Sequence, residues 1–138
     1  PEEHTIIPTG TERILVVDDE KAIIDIIKKN LSPLGYTVET RTSSLEALEL
    51  FKATPDKFDL LITDMTMPQM TGDMLARELM KIRPDLPVIL CTGFSENITK
   101  KKADTMGINA FLLKPLLKKE MAHKIRKVLD EAKGTTQQ

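Results

Sequence analysis

Tryptophan is absent, cysteine occurs once and aromatic residues make up only 4% of the 138 residues. A single thiol, Cys91, excludes an internal disulfide framework and a multi-thiolate metal site, and its place inside an apolar run marks it as a small core residue. No apolar stretch approaches the roughly 20 residues that cross a bilayer, and the first residues lack the apolar segment of a signal peptide. A cytoplasmic setting without membrane insertion is therefore expected. Excess charge of either sign is also missing: 20 Lys plus Arg face 21 Asp plus Glu, for a net charge of -1. Such a balance offers no global attraction to nucleic acid or anionic lipid, so neither is expected as a direct partner. Neither a Gly-x-x-x-x-Gly-Lys loop nor a Gly-x-Gly-x-x-Gly turn occurs, which argues against nucleotide binding. No Cys and His array invites zinc, since His4 lies in the terminal segment and His123 on the last predicted helix, both expected to face solvent.

What is present suits one globular domain, with 41% apolar and 30% charged residues in a chain of ordinary domain length. Residues 1–12 are polar and turn-rich around Pro8, Thr9 and Gly10 and read as a linker or disordered N-terminus. The folded domain is expected over residues 13–132, with 133–138 as a disordered tail. The chain begins with Pro1 rather than Met, so a piece of a longer polypeptide or a processed chain is expected.

Four apolar runs end in polar groups: Ile14-Leu15-Val16-Val17 at Asp18-Asp19, Leu60-Leu61-Ile62-Thr63 at Asp64, Val88-Ile89-Leu90-Cys91 at Thr92, and Ala110-Phe111-Leu112-Leu113 at Lys114-Pro115. A fifth stretch, Tyr36 to Thr40, alternates apolar with polar and is the one strand that reads as a sheet edge. Between them, Ile23, Ile27, Leu31 and Leu34 predict a helix ending at Gly35; Leu45, Leu48 and Phe51 predict a second before Pro55; Leu75, Leu79 and Ile82 a third before Pro84. A fourth, between Asn97 and Met106, has little apolar face because of Lys100 to Lys102 and is expected to pack loosely. Met121, Ile125, Val128 and Ala132 predict the last helix, before Gly134. Five largely apolar strands alternating with five helices predict a three-layer α/β fold, a parallel sheet covered on both faces. Ligands of such sheets bind outside the carboxyl ends of the strands.

If the runs are neighbouring parallel strands, Asp18, Asp19, Asp64, Thr92 and Lys114 converge at those ends. One member of the Asp pair would serve as a helix cap on its own. Two carboxylates about 5 Å apart repel by roughly 3 kcal/mol at an effective dielectric near 20, so a purely structural trio is costly and a cation between them is favoured. Magnesium fits, because it takes oxygen ligands and keeps several waters, and manganese could substitute. Lys114 offers a fixed charge for a phosphate, or for a carboxylate when phosphate is absent. Pro115 forces a turn that could aim it across the sheet edge. The Thr92 hydroxyl can hydrogen-bond a phosphate oxygen.

The order and spacing of Asp18-Asp19, Asp64 within Thr63-Asp64-Met65-Thr66-Met67-Pro68, Gly72, Thr92-Gly93 and Lys114-Pro115 resemble the receiver domains of two-component response regulators, of the chemotaxis-Y-like kind, from Arg13 to about Leu129. The resemblance implies the flavodoxin-like (βα)5 fold with strand order 2-1-3-4-5. It implies Asp64 as phosphoacceptor, Asp19 as a direct magnesium ligand, Asp18 as a ligand through water and the Thr66 backbone carbonyl as the remaining protein ligand. It further implies a cis Lys114–Pro115 peptide, Thr92 and Lys114 as phosphate-binding residues, and Thr92 with Phe111 as the switch pair. Thr66 and Phe94 occupy positions that vary in the family and are associated with phosphoryl lifetime. The implied activity is phosphoryl transfer from a phosphohistidine, on a sensor histidine kinase or a histidine phosphotransfer domain, to Asp64, with self-catalysed dephosphorylation. Signalling would run through the surface of predicted helix four, strand five and predicted helix five, to which Lys100, Lys101, Lys102, Lys118 and Lys119 lend basic character. Cys91-Thr92-Gly93-Phe94-Ser95-Glu96 and Lys114-Pro115-Leu116 resemble receivers at the carboxyl end of hybrid sensor kinases; a stand-alone regulator is the alternative parent.

Two rivals stand beside this reading. Haloacid-dehalogenase-like phosphatases also use a strand-end Asp and magnesium, but need a second Asp two residues on, where this chain has Thr66. A non-catalytic interaction module would not require all five polar positions to be kept.

Overall fold

The structure is a computed structural model and describes residues 6–93 and 105–134. Its strands are β1 (Arg13–Val17), β2 (Thr37–Arg41), β3 (Leu60–Asp64), β4 (Val88–Thr92) and β5 (Ala110–Leu113); its helices are α1 (Lys21–Leu31), α2 (Ser44–Ala53), α3 (Gly72–Ile82) and α4 (Lys118–Gly134). All strand pairs are parallel, in the order β2-β1-β3-β4-β5. This is the doubly wound α/β fold predicted from the alternation, with the flavodoxin-like strand order that the resemblance implied. Apart from 105–106, the fourth predicted helix, with Lys100 to Lys102 and Phe94, lies outside the described residues, as does His4.

Alternation along the strands divides the core into two layers. Ile14 and Val16 of β1, with Ile62, Ile89 and Leu112, pack on α1 and α4 through Ile24, Ile27, Leu31, Met121, Ile125 and Val128. Their neighbours on the opposite face, Leu15, Val17, Leu61, Val88 and Leu90, pack on α2 and α3 through Ala47, Phe51, Leu75, Ala76 and Leu79. Cys91 is buried in the first layer.

Local chemistry adjusts several predicted faces. The first helix stops at Leu31 because Pro33 breaks α geometry, and a 3-10 turn, Ser32–Leu34, completes it before Gly35 at φ 110°. Ile24 rather than Ile23 is fully buried, as both satisfy the helical spacing. On α2 the buried pair is Ala47 and Phe51, while Leu45 is 42% exposed. Ile82 is also exposed, and on α4 Leu129 takes the core position expected of Ala132. β5 forms the second sheet edge despite its apolar sequence, with only Leu112 buried.

The approach to β1, expected as linker up to residue 12, is pinned to the domain near its end. Gly10 donates to the Leu34 carbonyl (3.1 Å), the Glu12 carbonyl accepts from the Thr37 amide (3.1 Å), and Glu12 is 8% exposed.

Candidate functional site

Strands that run in parallel deliver their last residues to one rim, and the register fixes which meet. Val17 pairs with Thr63, Asp64 with Cys91, and Thr92 with Leu113. Asp18 follows β1, Asp64 closes β3, Thr92 closes β4 and Lys114 follows β5. Carboxylate oxygens of Asp18, Asp19 and Asp64 lie within 4.8 Å of one another. Asp18 and Asp64 are buried at 2% and 5% exposure, whereas Asp19 stands open at the mouth. The Lys114 ammonium is 2.7 Å from Asp64 Oδ1 and 3.5 Å from Asp18 Oδ2.

The backbone holds each member in place. Asp18 Oδ1 accepts the Glu20 amide (2.9 Å), closing the turn into α1, so one carboxylate both shapes the turn and faces the cluster. Lys114 donates its amide to the Thr92 carbonyl (2.8 Å), and the Lys114–Pro115 peptide is cis. After Asp64 the chain folds back sharply. Gly72 donates to the Met65 carbonyl (2.8 Å), and a Cβ on Gly72 would lie 2.0 Å from the Asp64 carbonyl oxygen. Only glycine permits α3 to start so close to the end of β3. Met67 plugs this loop into the second core layer, leaving Thr66 exposed two residues beyond Asp64.

Electrostatically the rim has too much negative charge. Among the described residues three carboxylates gather around one ammonium, which pairs with two of them, and within 4.8 Å each carboxylate pair repels by about 3 kcal/mol at an effective dielectric near 20. Burial, with the neighbouring Asp64 charge, pushes Asp18 up to about 6, although the Glu20 amide and Lys114 oppose the rise. Burial pulls the Lys114 ammonium down, but its bond to Asp64 and the charges of Asp18 and Asp64 outweigh that and leave it above its ordinary value. A divalent cation accepting oxygen ligands fits this donor set, which is all carboxylate, partly open and short of positive charge.

Thr92 is 7% exposed. Phe111, next to Leu90 in register, is partly buried against the second core layer, while Leu112 faces α4. His123 is exposed. Sequence reading missed a second charged cluster, at the opposite edge of the sheet, where Arg126 of α4 grips Glu12 through both carboxylate oxygens (3.1 and 2.6 Å). No local pattern signals a pair 114 residues apart.

The fold has close counterparts. Residues 14–126 match the family model described as the response regulator receiver domain. The chain is 32% identical over 123 residues to the sensor kinase CckA of Brucella abortus, covering 89% of this chain and 13% of that protein. It is 34% identical over 122 residues to the response regulator MprA of Mycobacterium ulcerans, covering 88% and 51%. It thus spans from about an eighth to about half of these relatives. Among solved structures, a response regulator receiver domain protein from Clostridium thermocellum superposes with a TM-score of 0.83 at 34% identity, covering 88% of this chain and 97% of that one. A CheY-like receiver domain protein from Methanospirillum hungatei gives 0.80 at 32% identity, covering 91% and 99%. Among the described residues no helix is long and apolar enough to cross a membrane. With its strand order, its rim of acids and a family match over residues 14–126, this chain belongs to the response regulator receiver domains of two-component signalling.

Proposed function

We propose that Asp64 is the phosphoacceptor of a two-component phosphorelay, taking its phosphoryl group from a phosphohistidine on a sensor histidine kinase or a histidine phosphotransfer domain. The observation that carries this is the grouping of the Asp64 carboxylate with Lys114 at 2.7 Å and with two further acids within 4.8 Å. An Asp64 oxygen attacks phosphorus, the new P–O bond forms as the P–N bond breaks, and the imidazole departs and takes up a proton. Lys114, already on Asp64, passes to a phosphoryl oxygen as that charge arrives, and Thr92 donates its hydroxyl to another. Asp19 would hold magnesium directly, Asp18 through water, and Asp64 and the Thr66 carbonyl would complete the protein's ligands, with manganese as a substitute. When bound, the ion neutralises charge on the transferring group and orients it for in-line attack. The same group of residues hydrolyses the acyl phosphate, which is the limit of the chain's catalysis.

The phosphoryl group adds negative charge at one point, and Thr92 moves toward it while Phe111 turns into the space released. The change is read on the surface of β5, α4 and the segment before β5. Attachment to a hybrid sensor kinase fits the 13% coverage of the CckA relative, and a cytoplasmic setting fits the phosphodonor chemistry. Acetyl phosphate with magnesium should add one phosphoryl group to the chain by intact mass, chelation with EDTA should prevent it, and Asp64→Asn should abolish it. Equal labelling of the parent and the Asp64→Asn variant would overturn the assignment.

A further inference from the structure

The cluster at the amino edge of the sheet is built unlike a surface ion pair. Glu12 is 8% exposed, and its Oε1 accepts from Arg126 Nη1 (3.1 Å) and from the Thr11 amide (3.2 Å). Its Oε2 accepts from Arg126 Nη2 (2.6 Å) and Lys133 Nζ (2.5 Å). Arg126 Nη1 also reaches the Thr9 carbonyl (3.2 Å) and the Tyr36 hydroxyl (3.3 Å), and its Nε is fixed by Asp130 (3.0 Å). One arginine of α4 therefore holds the backbone and a side chain of the segment entering β1. That segment has little apolar attachment of its own. Ile6 is 67% exposed, and a cleft of about 360 Å³ opens between Ile6, Pro8 and α4 at His123, Arg126 and Lys127. Beneath the strap, the missing side chain of Gly35 makes room for the Gly10 carbonyl, where a Cβ would lie 2.2 Å from its oxygen.

The other end of α4 leads to the acid rim. Lys114 is four residues ahead of Lys118, and Leu116 between them is partly buried against the first core layer. α4 is a 17-residue helix packed along one stripe by Met121, Ile125 and Val128, so it moves as a body rather than bending. Its first turn follows by four residues the ammonium that pairs with Asp64 and Asp18, while Arg126 at its middle and Lys133 in its last turn hold Glu12.

We propose that Glu12, Arg126 and Lys133 form a latch that reports the state of Asp64 to the segment entering the domain: recruitment of Lys114 by the phosphoryl group shifts α4 and loosens the strap over residues 6–12. This rests on Asp64 being the phosphoacceptor. One packed helix, running from beside Lys114 to Arg126 and Lys133, supplies the physically continuous link that such coupling requires. Any domain joined ahead of the strap would receive the signal through the backbone itself.

The test is hydrogen exchange followed by mass spectrometry on the full chain, with and without acetyl phosphate and magnesium, with intact mass read in parallel. The reporters are the amides of Gly10, Thr11 and Thr37, which bond to Leu34, to the Glu12 carboxylate and to the Glu12 carbonyl. In the parent, phosphorylation should speed exchange of these amides roughly tenfold, the span expected of a local opening. In Glu12→Gln the same amides should exchange fast from the start and no longer respond, while phosphoryl uptake persists. Arg126→Lys, which keeps the charge but loses the two-pronged grip, should give an intermediate response. Normal phosphoryl uptake with unchanged exchange at the strap, or the same response in Glu12→Gln as in the parent, would overturn the latch. Absent uptake in the parent would instead overturn the phosphoacceptor reading on which it depends.

Discussion

At the carboxyl edge of the sheet, three carboxylates gather and Lys114 pairs with two of them; at the amino edge, the carboxylate of Glu12 is held by Arg126 and Lys133. The consequences are opposite. Burial and like charge raise Asp18 to about 6, while the Arg126 bond, against burial and helped by Lys133, lowers Glu12 to about 2. The amino-edge cluster is charge-satisfied and stabilises the fold as it stands. Among the described residues the carboxyl-edge cluster is short of positive charge, and a divalent cation would satisfy it, as expected of a site kept for function at a cost to stability.

Substitutions at the two edges should therefore act in opposite directions. The largest effect is expected from Arg126→Met, which leaves a buried carboxylate with Lys133 alone and should cost about 3–5 kcal/mol in urea unfolding. Next comes acid. Glu12 is lowered in the folded chain from 4.5 to about 2, so the unfolded chain takes up the proton first. Its contribution, about 3 kcal/mol by linkage, is complete above pH 4.5 and lost as the pH falls toward 2. Unfolding midpoints across that range should fall more steeply in the parent than in Glu12→Gln. At the other edge, Asp18→Asn keeps an acceptor for the Glu20 amide but removes a buried charge. It should stabilise the protein by about 1–2 kcal/mol in EDTA and weaken the rise in melting temperature on adding magnesium. A loss of stability in EDTA would erase the contrast between the edges. Leu45→Ala, on the exposed face of α2, should change stability by no more than about 0.5 kcal/mol and serves as the baseline.

The two edges also differ in how far they could be read from sequence. Asp18, Asp64, Thr92 and Lys114 each terminate an apolar run, and a parallel sheet brings such termini together whatever the intervening chain does, so the carboxyl edge was legible once the strands were recognised. Glu12 and Arg126 carry no such local mark. Glu12 sits among turn-forming residues and Arg126 among the lysines of a charged helix, and only the packing of α4 brings them together. Helix faces were blurred for a related reason. Ala47 is small enough to let α2 approach the sheet, yet the bulkier Leu45 dominates a reading by hydrophobicity. Phe111 and Leu112 both suit a buried strand, and the register decides that Leu112 faces α4 while Phe111 faces the other layer.

The central claim is that the carboxylate of Asp64, set among Asp18, Asp19 and Lys114, becomes an acyl phosphate. Borohydride converts an acyl phosphate to the alcohol, so reduction of the chain after treatment with acetyl phosphate and magnesium, followed by peptide sequencing, locates the modified residue. Homoserine at position 64, formed only when magnesium is present, is the predicted result; homoserine at another aspartate, or label retained by the Asp64→Asn chain, would contradict it.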